Sequence, residues 1–188
     1  MEELSLTNIK YNKVDTLLIL GAGSDQTYPI KIAQDEGLRV LAVDSNPDAQ
    51  GFAFADEVAN VSNRDIDGLK LLCDESLERG YPVKGVLVMG TDIPHIAAEL
   101  SIHLVIPGPS RDTGNWTTNK FQMKEKLSQA GVAVPWYALA ENYHSLLRLM
   151  HDHGGEKFII KPTDRSGARG VFVVYRNDEN LEFLFNES

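Results

Sequence analysis

The sequence is poor in sulfur and in positive charge. One of its 188 residues is cysteine, Cys73, so there is no disulfide framework, and a reducing compartment fits. Cys73 stands among Leu69, Leu72 and Leu77 on an apolar helical stripe. No neighbour there would depress its pKa, so it reads as a buried small hydrophobe rather than a nucleophile. Eighteen Lys and Arg face 27 Asp and Glu, a net charge of -9. Duplex nucleic acid needs clustered cations, so nucleic acid is not an expected partner, although a local pocket for small anions remains compatible with an acidic chain. No apolar run approaches membrane-spanning length, and "MEELSLTNIKYNK" has no apolar core for a signal peptide. A cytoplasmic protein with no membrane partner is expected. Repeats and low-complexity stretches are also missing, and the 43% apolar content excludes global disorder.

What is present is an alternation of strands and helices. "DTLLIL" is a short apolar run that stops at glycine, as a buried strand does. "TYPIKIAQDEG" follows as a helix, with Pro29 in its first turn and Gly37 as its stop. "LRVLAVD", "EVANV" and "VKGVLVMG" read as further strands. "DIDGLKLLCDESLERG" is a helix with Ile66, Leu69, Leu72, Cys73 and Leu77 on one face. "DIPHIAAELSI" is another, with Asp92 as candidate N-cap and Pro94 near its start, and "HLVIPGP" is a short closing strand. This order predicts a parallel sheet with helices on both faces. After "PGPSRDTGNW" the rhythm changes, and we place a domain boundary near Asn115, giving units 1–115 and 116–188. "TNKFQMKEKLSQAG" is a charged helix, "VAVPWYAL" is extended, and "YHSLLRLMHDHGG" is a helix with Leu146, Leu147 and Met150 on one side. "KFIIKP" and "GVFVVY" are strands joined by "TDRSGAR", and a last helix begins at "DENLEFLFNES". About 70 residues is thin for an independent second core, so the chain reads as cut off.

Two glycine loops carry the chemistry. The first, "LILGAGSDQTYPI", has two glycines of a G-x-G-x-x-G fingerprint, Gly21 and Gly23, but Gln26 replaces the third. Asp44 closes the next strand, where a ribose-binding acid would stand, while Asp25 puts negative charge where pyrophosphate would approach. Three readings stay open: an NAD(P) site of an oxidoreductase, a tight strand-to-helix turn, or a small-substrate loop at the carboxyl edge of the sheet. Asp25, Gln26, Thr91 and Asp92 all lie at strand ends and either face an acceptor substrate or cap helices. The second loop lies in "FIIKPTDRSGARGVFVV". Lys161 ends a strand, Ser166, Gly167, Ala168, Arg169 and Gly170 form a flexible turn, and a second strand follows at once. Glycines permit close backbone approach and cations offset phosphate charge, so this architecture suits phosphate; a plain hairpin with a surface lysine is the alternative. It is not a Walker A loop, since no Gly-Lys-Ser/Thr opens a helix here. Lys120 alone reads as a solvated helix lysine. His95, His103, His144, His151 and His153 are scattered, and no metal site is expected from them.

In combination these segments resemble the first half of the ATP-grasp superfamily, nearest its carbamoyl-phosphate-synthase-like and biotin-carboxylase-like members. The resemblance rests on "TNKFQMKEKLSQAGVAVP", on "FIIKP" with its glycine loop, and on "AVDSNPDAQGFAFADEVANVS", and it runs from about Leu17 to Val174. It implies an α/β architecture: a Rossmann-like, parallel-sheet pre-ATP-grasp domain followed by an incomplete α+β ATP-grasp lobe. It implies ATP as cofactor, with Lys120 and Lys161 reaching its phosphates and Ser166 to Gly170 forming the mobile loop over it. Gly21, Gly23, Asp25, Gln26, Asp44, Thr91 and Asp92 would lie on the substrate side. The implied reaction is an ATP-dependent ligation through an acylphosphate, joining a carboxylate or bicarbonate to an amine or thiol. Magnesium ligands and adenine contacts are expected beyond the end of this chain, so the 188 residues alone should be inactive. Relatives of this kind are often dimers, so a homodimer is expected. A non-catalytic nucleotide-binding module is the remaining alternative.

Overall fold

The computed structural model describes residues 15–165 and 167–188. The chain divides into two compact units, Met1–Gly114 and Asn115–Ser188.

The first unit is built on strands β1 (Thr16–Leu20), β2 (Arg39–Val43), β3 (Glu57–Ala59) and β4 (Val83–Val88), with helices α1 (Thr27–Asp35), α2 (Ile66–Glu78) and α3 (Pro94–Leu104). All strand pairs are parallel, in the order β3-β2-β1-β4. The central strands are apolar on both faces because both faces are covered. Leu18, Leu20, Leu41 and Val43 pack with Leu69 and Cys73 of α2 and Ile96 and Leu100 of α3. Ile19, Val40 and Ala42 turn the other way, onto Ile30 and Ala33 of α1. The fold class expected from the alternation is therefore the one found.

Several local expectations need correction. "HLVIPGP" is not a strand: His103 and Leu104 continue α3, which stops at Val105 in the left-handed region (φ 54°). Asp92 is not the N-cap of α3; that position is Ile93, with Pro94 as the first helical residue. Leu77 does not join the core face of α2 but is 59% exposed. Ser76 takes the inward place instead, and its hydroxyl donates to Tyr81 O at 2.8 Å, which satisfies it.

Cys73 is fully buried, and burial pushes its thiol up from 9.0 to about 12, with Asp74 adding to the effect. At pH 8 only about one thiol in ten thousand would be ionised. We expect no reaction with Ellman's reagent at pH 8 until denaturant is added. The folded pKa is raised, so the associated stability is complete below pH 9 and is lost as the pH climbs from 9 toward 12. Chemical denaturation across that range checks the sign.

The second unit contains α5 (Lys120–Gln129), α6 (Tyr143–His153), the antiparallel hairpin β5 (Lys157–Ile160) and β6 (Phe172–Tyr175), and α7 (Leu181–Glu187); α4 (Arg111–Thr118) crosses the division between the units. No strand is found within the extended stretch 132–139. Its core is Leu146 and Met150 of α6 against Phe158, Ile160, Val174 and Leu181. Leu147 is not part of it and stays partly exposed. Asn142 and Ser145 form a reciprocal capping box at the start of α6, and Gly154 ends it in the left-handed conformation. The other face of the hairpin is bare: Ile159, paired with Val173, is 64% exposed and Val173 52%. Among the described residues no helix is long and apolar enough to cross a membrane.

Candidate phosphate-facing site and glycine loop

In the first unit, the loop after β1 is held by its neighbours rather than left open. Gly21 N donates to Val43 O at 2.9 Å. Ala22 N donates to Asp44 Oδ2 at 2.9 Å, and Asn46 N donates to Asp44 Oδ1 at 2.9 Å. The carboxylate that would have met a ribose thus serves two backbone amides. Ala22 O accepts from Gly51 N at 2.7 Å. Gln26 is buried, and its side-chain amide donates to Met89 O at 2.6 Å. A Cβ on Gly21 would lie 3.5 Å from Gln26 Cδ, and one on Gly23 would lie 3.2 Å from Gln26 Oε1. Gln26 therefore fills the space that the glycines leave and ties this loop to the one after β4. The residue that looked like a defect in a fingerprint is a structural plug.

Around this plug sit the other candidates at the carboxyl ends of the strands. Asp25 is exposed, at the start of a short 3₁₀ turn (Ser24–Gln26) with no side-chain cap. Thr91 Cγ2 lies 3.7 Å from where a Gly21 Cβ would be, and Thr91 Oγ1 is buried with no hydrogen-bond partner among the described residues. A buried hydroxyl without a partner is uncommon and marks a place where an incoming polar group would be stabilised.

In the second unit, Lys120 opens α5. Asn119 caps the helix by accepting from the amides of Phe121 and Gln122. Lys120 N donates to Thr163 O at 2.7 Å, and Lys120 Nζ donates to Arg165 O at 2.5 Å. These bonds fasten the start of α5 to the segment just after β5, where Lys161 stands. Lys161 is exposed and has no anionic partner among the described residues. The loop that follows has Gly167, Ala168 and Gly170 at positive φ (68°, 57° and 71°). Ala168 carries a Cβ in that region, which costs about 1–2 kcal/mol. Arg169 is exposed, and Ser166 lies outside the described residues.

Lys124 was not singled out by the sequence. It stands one turn beyond Lys120, half-buried, and its pKa is lowered by burial first and by Lys161 second. The i, i+4 spacing from Lys120 was the signal that could have found it. Among the described residues no three His, Cys, Asp or Glu side chains converge on a metal position.

The first unit is a Rossmann-like parallel sheet, and the second is a small α+β unit whose lysines gather beside a glycine loop. This is the fold of the N-terminal portion of ATP-grasp enzymes. The ADP complex of N5-carboxyaminoimidazole ribonucleotide synthetase superposes with a TM-score of 0.74 at 17% identity, over 92% of this chain and 45% of that one. The biotin carboxylase domain of the Hydrogenobacter thermophilus 2-oxoglutarate carboxylase, solved with MgADP, ADP and bicarbonate, gives 0.70 at 22% identity, over 92% and 41%. By sequence, the mitochondrial methylcrotonoyl-CoA carboxylase subunit alpha of Glycine max is 25% identical over 185 residues, 91% of this chain. The chain spans a quarter (25%) of the length of that relative. No family model matches the chain.

Proposed function

We propose that this chain is the N-terminal portion of an ATP-dependent ligase of the carboxylate–amine or carboxylate–thiol type. Residues 1–115 act as the pre-ATP-grasp domain and 116–188 as the first part of the ATP-grasp domain. The observation that carries this reading is the pair of Lys120 bonds to Thr163 and Arg165, which bring a helix lysine beside the segment just after β5, where Lys161 stands at the mouth of a glycine loop. Two cations and a loop whose glycines allow close backbone approach suit a triphosphate, and the bare Ile159–Val173 face offers apolar surface for a base. Lys120, Lys161 and residues Ser166 to Gly170 bind and neutralise the phosphates. The γ-phosphoryl group passes to a carboxylate or bicarbonate oxygen as ADP leaves. An amine or thiol then attacks the acyl carbon and expels phosphate. What these residues contribute is positioning and charge neutralisation. Magnesium is the metal such a nucleotide brings.

The substrate side is the edge formed by Gly21, Gly23, Asp25, Gln26, Asp44, Thr91 and Asp92. Within it Gln26 and Asp44 hold the loop, and the Thr91 hydroxyl, which has no partner among the described residues, and the exposed Asp25 face the acceptor. The protein works in the cytoplasm as a homodimer; the Hydrogenobacter biotin carboxylase domain was solved as a dimer.

Titration of the chain with Mg-ATP and, separately, with NADH tests the reading. Trp136 is half-exposed and packs beside Phe158 of β5 at 6.0 Å between ring centroids, so its fluorescence reports on the hairpin. A saturable response to Mg-ATP and none to NADH is expected. The reverse pattern would return the glycine loop to a dinucleotide.

A further inference from the structure

We propose that Lys124 is a third phosphate-facing cation of this site, held in place by the ring of Tyr137. The inference rests on the nucleotide reading of Lys120 and Lys161 and extends it to a residue that reading does not include. Four observations converge on it. Lys124 follows Lys120 by four residues, so both project from one face of α5. That face is fastened to the end of the hairpin through Lys120 N and Nζ, at Thr163 and Arg165. Lys124 Nζ lies 5.3 Å from the centroid of the Tyr137 ring, a cation–π distance. Tyr137 is itself fixed, since its hydroxyl donates to Glu125 Oε1 at 3.0 Å and its ring meets Phe121 edge-on at 5.7 Å.

The charges around Lys124 make the arrangement unusual. Lysines on a helix surface ordinarily reach water or a carboxylate. Lys124 instead lies half-buried and close enough to Lys161 for the two cations to repel, with no ion pair to either among the described residues. The neighbouring Glu125 is engaged with Tyr137. Gathering like charges without a counter-ion destabilises a fold unless an anion relieves it. A polyphosphate would do so, and each lysine would then contribute to its affinity. Tyr137 is a positioning residue here: it keeps the ammonium on this face and leaves its donors free. Lys126, two residues on, does not belong to the group, since it lies over Trp116 at 4.6 Å and reaches Gln129.

Reductive ¹³C-methylation of the lysines of the 188-residue chain, followed by NMR titration, tests this with inorganic tripolyphosphate as the probe. The Lys124 signal, assigned with Lys124→Arg, should titrate below the exposed lysines and move up on saturation, while Lys126 stays put. Lys124→Gln should weaken tripolyphosphate binding about tenfold, and Lys124→Arg should hold it within about twofold. Tyr137→Leu should weaken it, and Tyr137→Phe, which keeps the ring, should not. If Lys161 responds to tripolyphosphate and Lys124 does not, the proposal is wrong and the nucleotide reading stands. If neither responds, both are wrong. Because the titration is read in the unsubstituted chain, it decides the matter even where Lys124→Gln fails to fold.

Discussion

Replacing Gly51 with valine should speed hydrogen exchange at the amides of Leu18 and Leu20 by about a hundredfold, a loss of roughly 3 kcal/mol in the first unit. Gly51 donates to Ala22 O at 2.7 Å, and a Cβ at that position would come within 2.8 Å of the same oxygen and 3.0 Å of Ile30 Cδ1. One contact is backbone and the other belongs to a buried core residue, so neither yields without moving the glycine loop or α1. The hydrogen bond and the close approach are one device, because only a residue without a side chain can donate from so near. Exchange at Leu18 and Leu20 is the right readout, since β1 is paired on both sides, to β2 and β4, and opens only with the whole unit. Gly37 supplies the contrast. A Cβ there meets nothing within 4 Å, but its φ of 86° strains any L-residue. Gly37→Ala should therefore cost about 1 kcal/mol, from conformation alone. Equal effects from the two substitutions would mean that the clamp on Ala22 carries no weight.

The parallel sheet was legible because burial on both faces writes an unbroken apolar run, and β1, β2 and β4 are such runs. The second glycine loop was legible because strand, lysine, glycines and strand follow one another without a gap. Errors arose where tertiary contact overrode local pattern. In "SLERG" the hydrophobe and the small polar residue exchanged expected places: helix geometry turns Ser76 inward with Cys73 and Leu69, and Leu77 falls outside that stripe. The helix Arg111–Thr118 was hidden because glycine and asparagine propensities argue against it. Its Gly114 is there for fit, since a Cβ would lie 2.8 Å from the backbone of His95 on α3. "HLVIPGP" has the composition of a strand, yet it begins with the last turn of α3, and no local signal marks Val105 as the stop. Gln26 was the hardest to read. Its role depends on Met89, which is 63 residues away in sequence. Lys124 was missed because a single charged residue on a charged helix looks solvated until its neighbours are known.

Lys161→Gln should weaken Mg-ATP binding by about ten- to a hundredfold without lowering the urea midpoint of the second unit. The loss of one charge-assisted contact is worth about 1.5–3 kcal/mol, which sets that range. The retained stability follows from the environment of Lys161: it is exposed and pairs with no carboxylate among the described residues, so its removal breaks no ion pair among them. Relief of its repulsion with Lys124 would even favour the fold slightly. Lys120→Gln should behave differently. Lys120 Nζ donates to Arg165 O at 2.5 Å, so losing it should cost both nucleotide affinity and about 1 kcal/mol of stability. The main-chain bond from Lys120 N to Thr163 O survives either substitution, so the helix stays attached to the hairpin segment and the comparison is between side chains alone. Parallel isothermal titration and urea denaturation of the two variants separate the roles. Lys161 is the more telling of the two, because affinity is then the only property its substitution can lower. Wild-type affinity in Lys161→Gln would remove Lys161 from the phosphate site and leave the hairpin a structural turn.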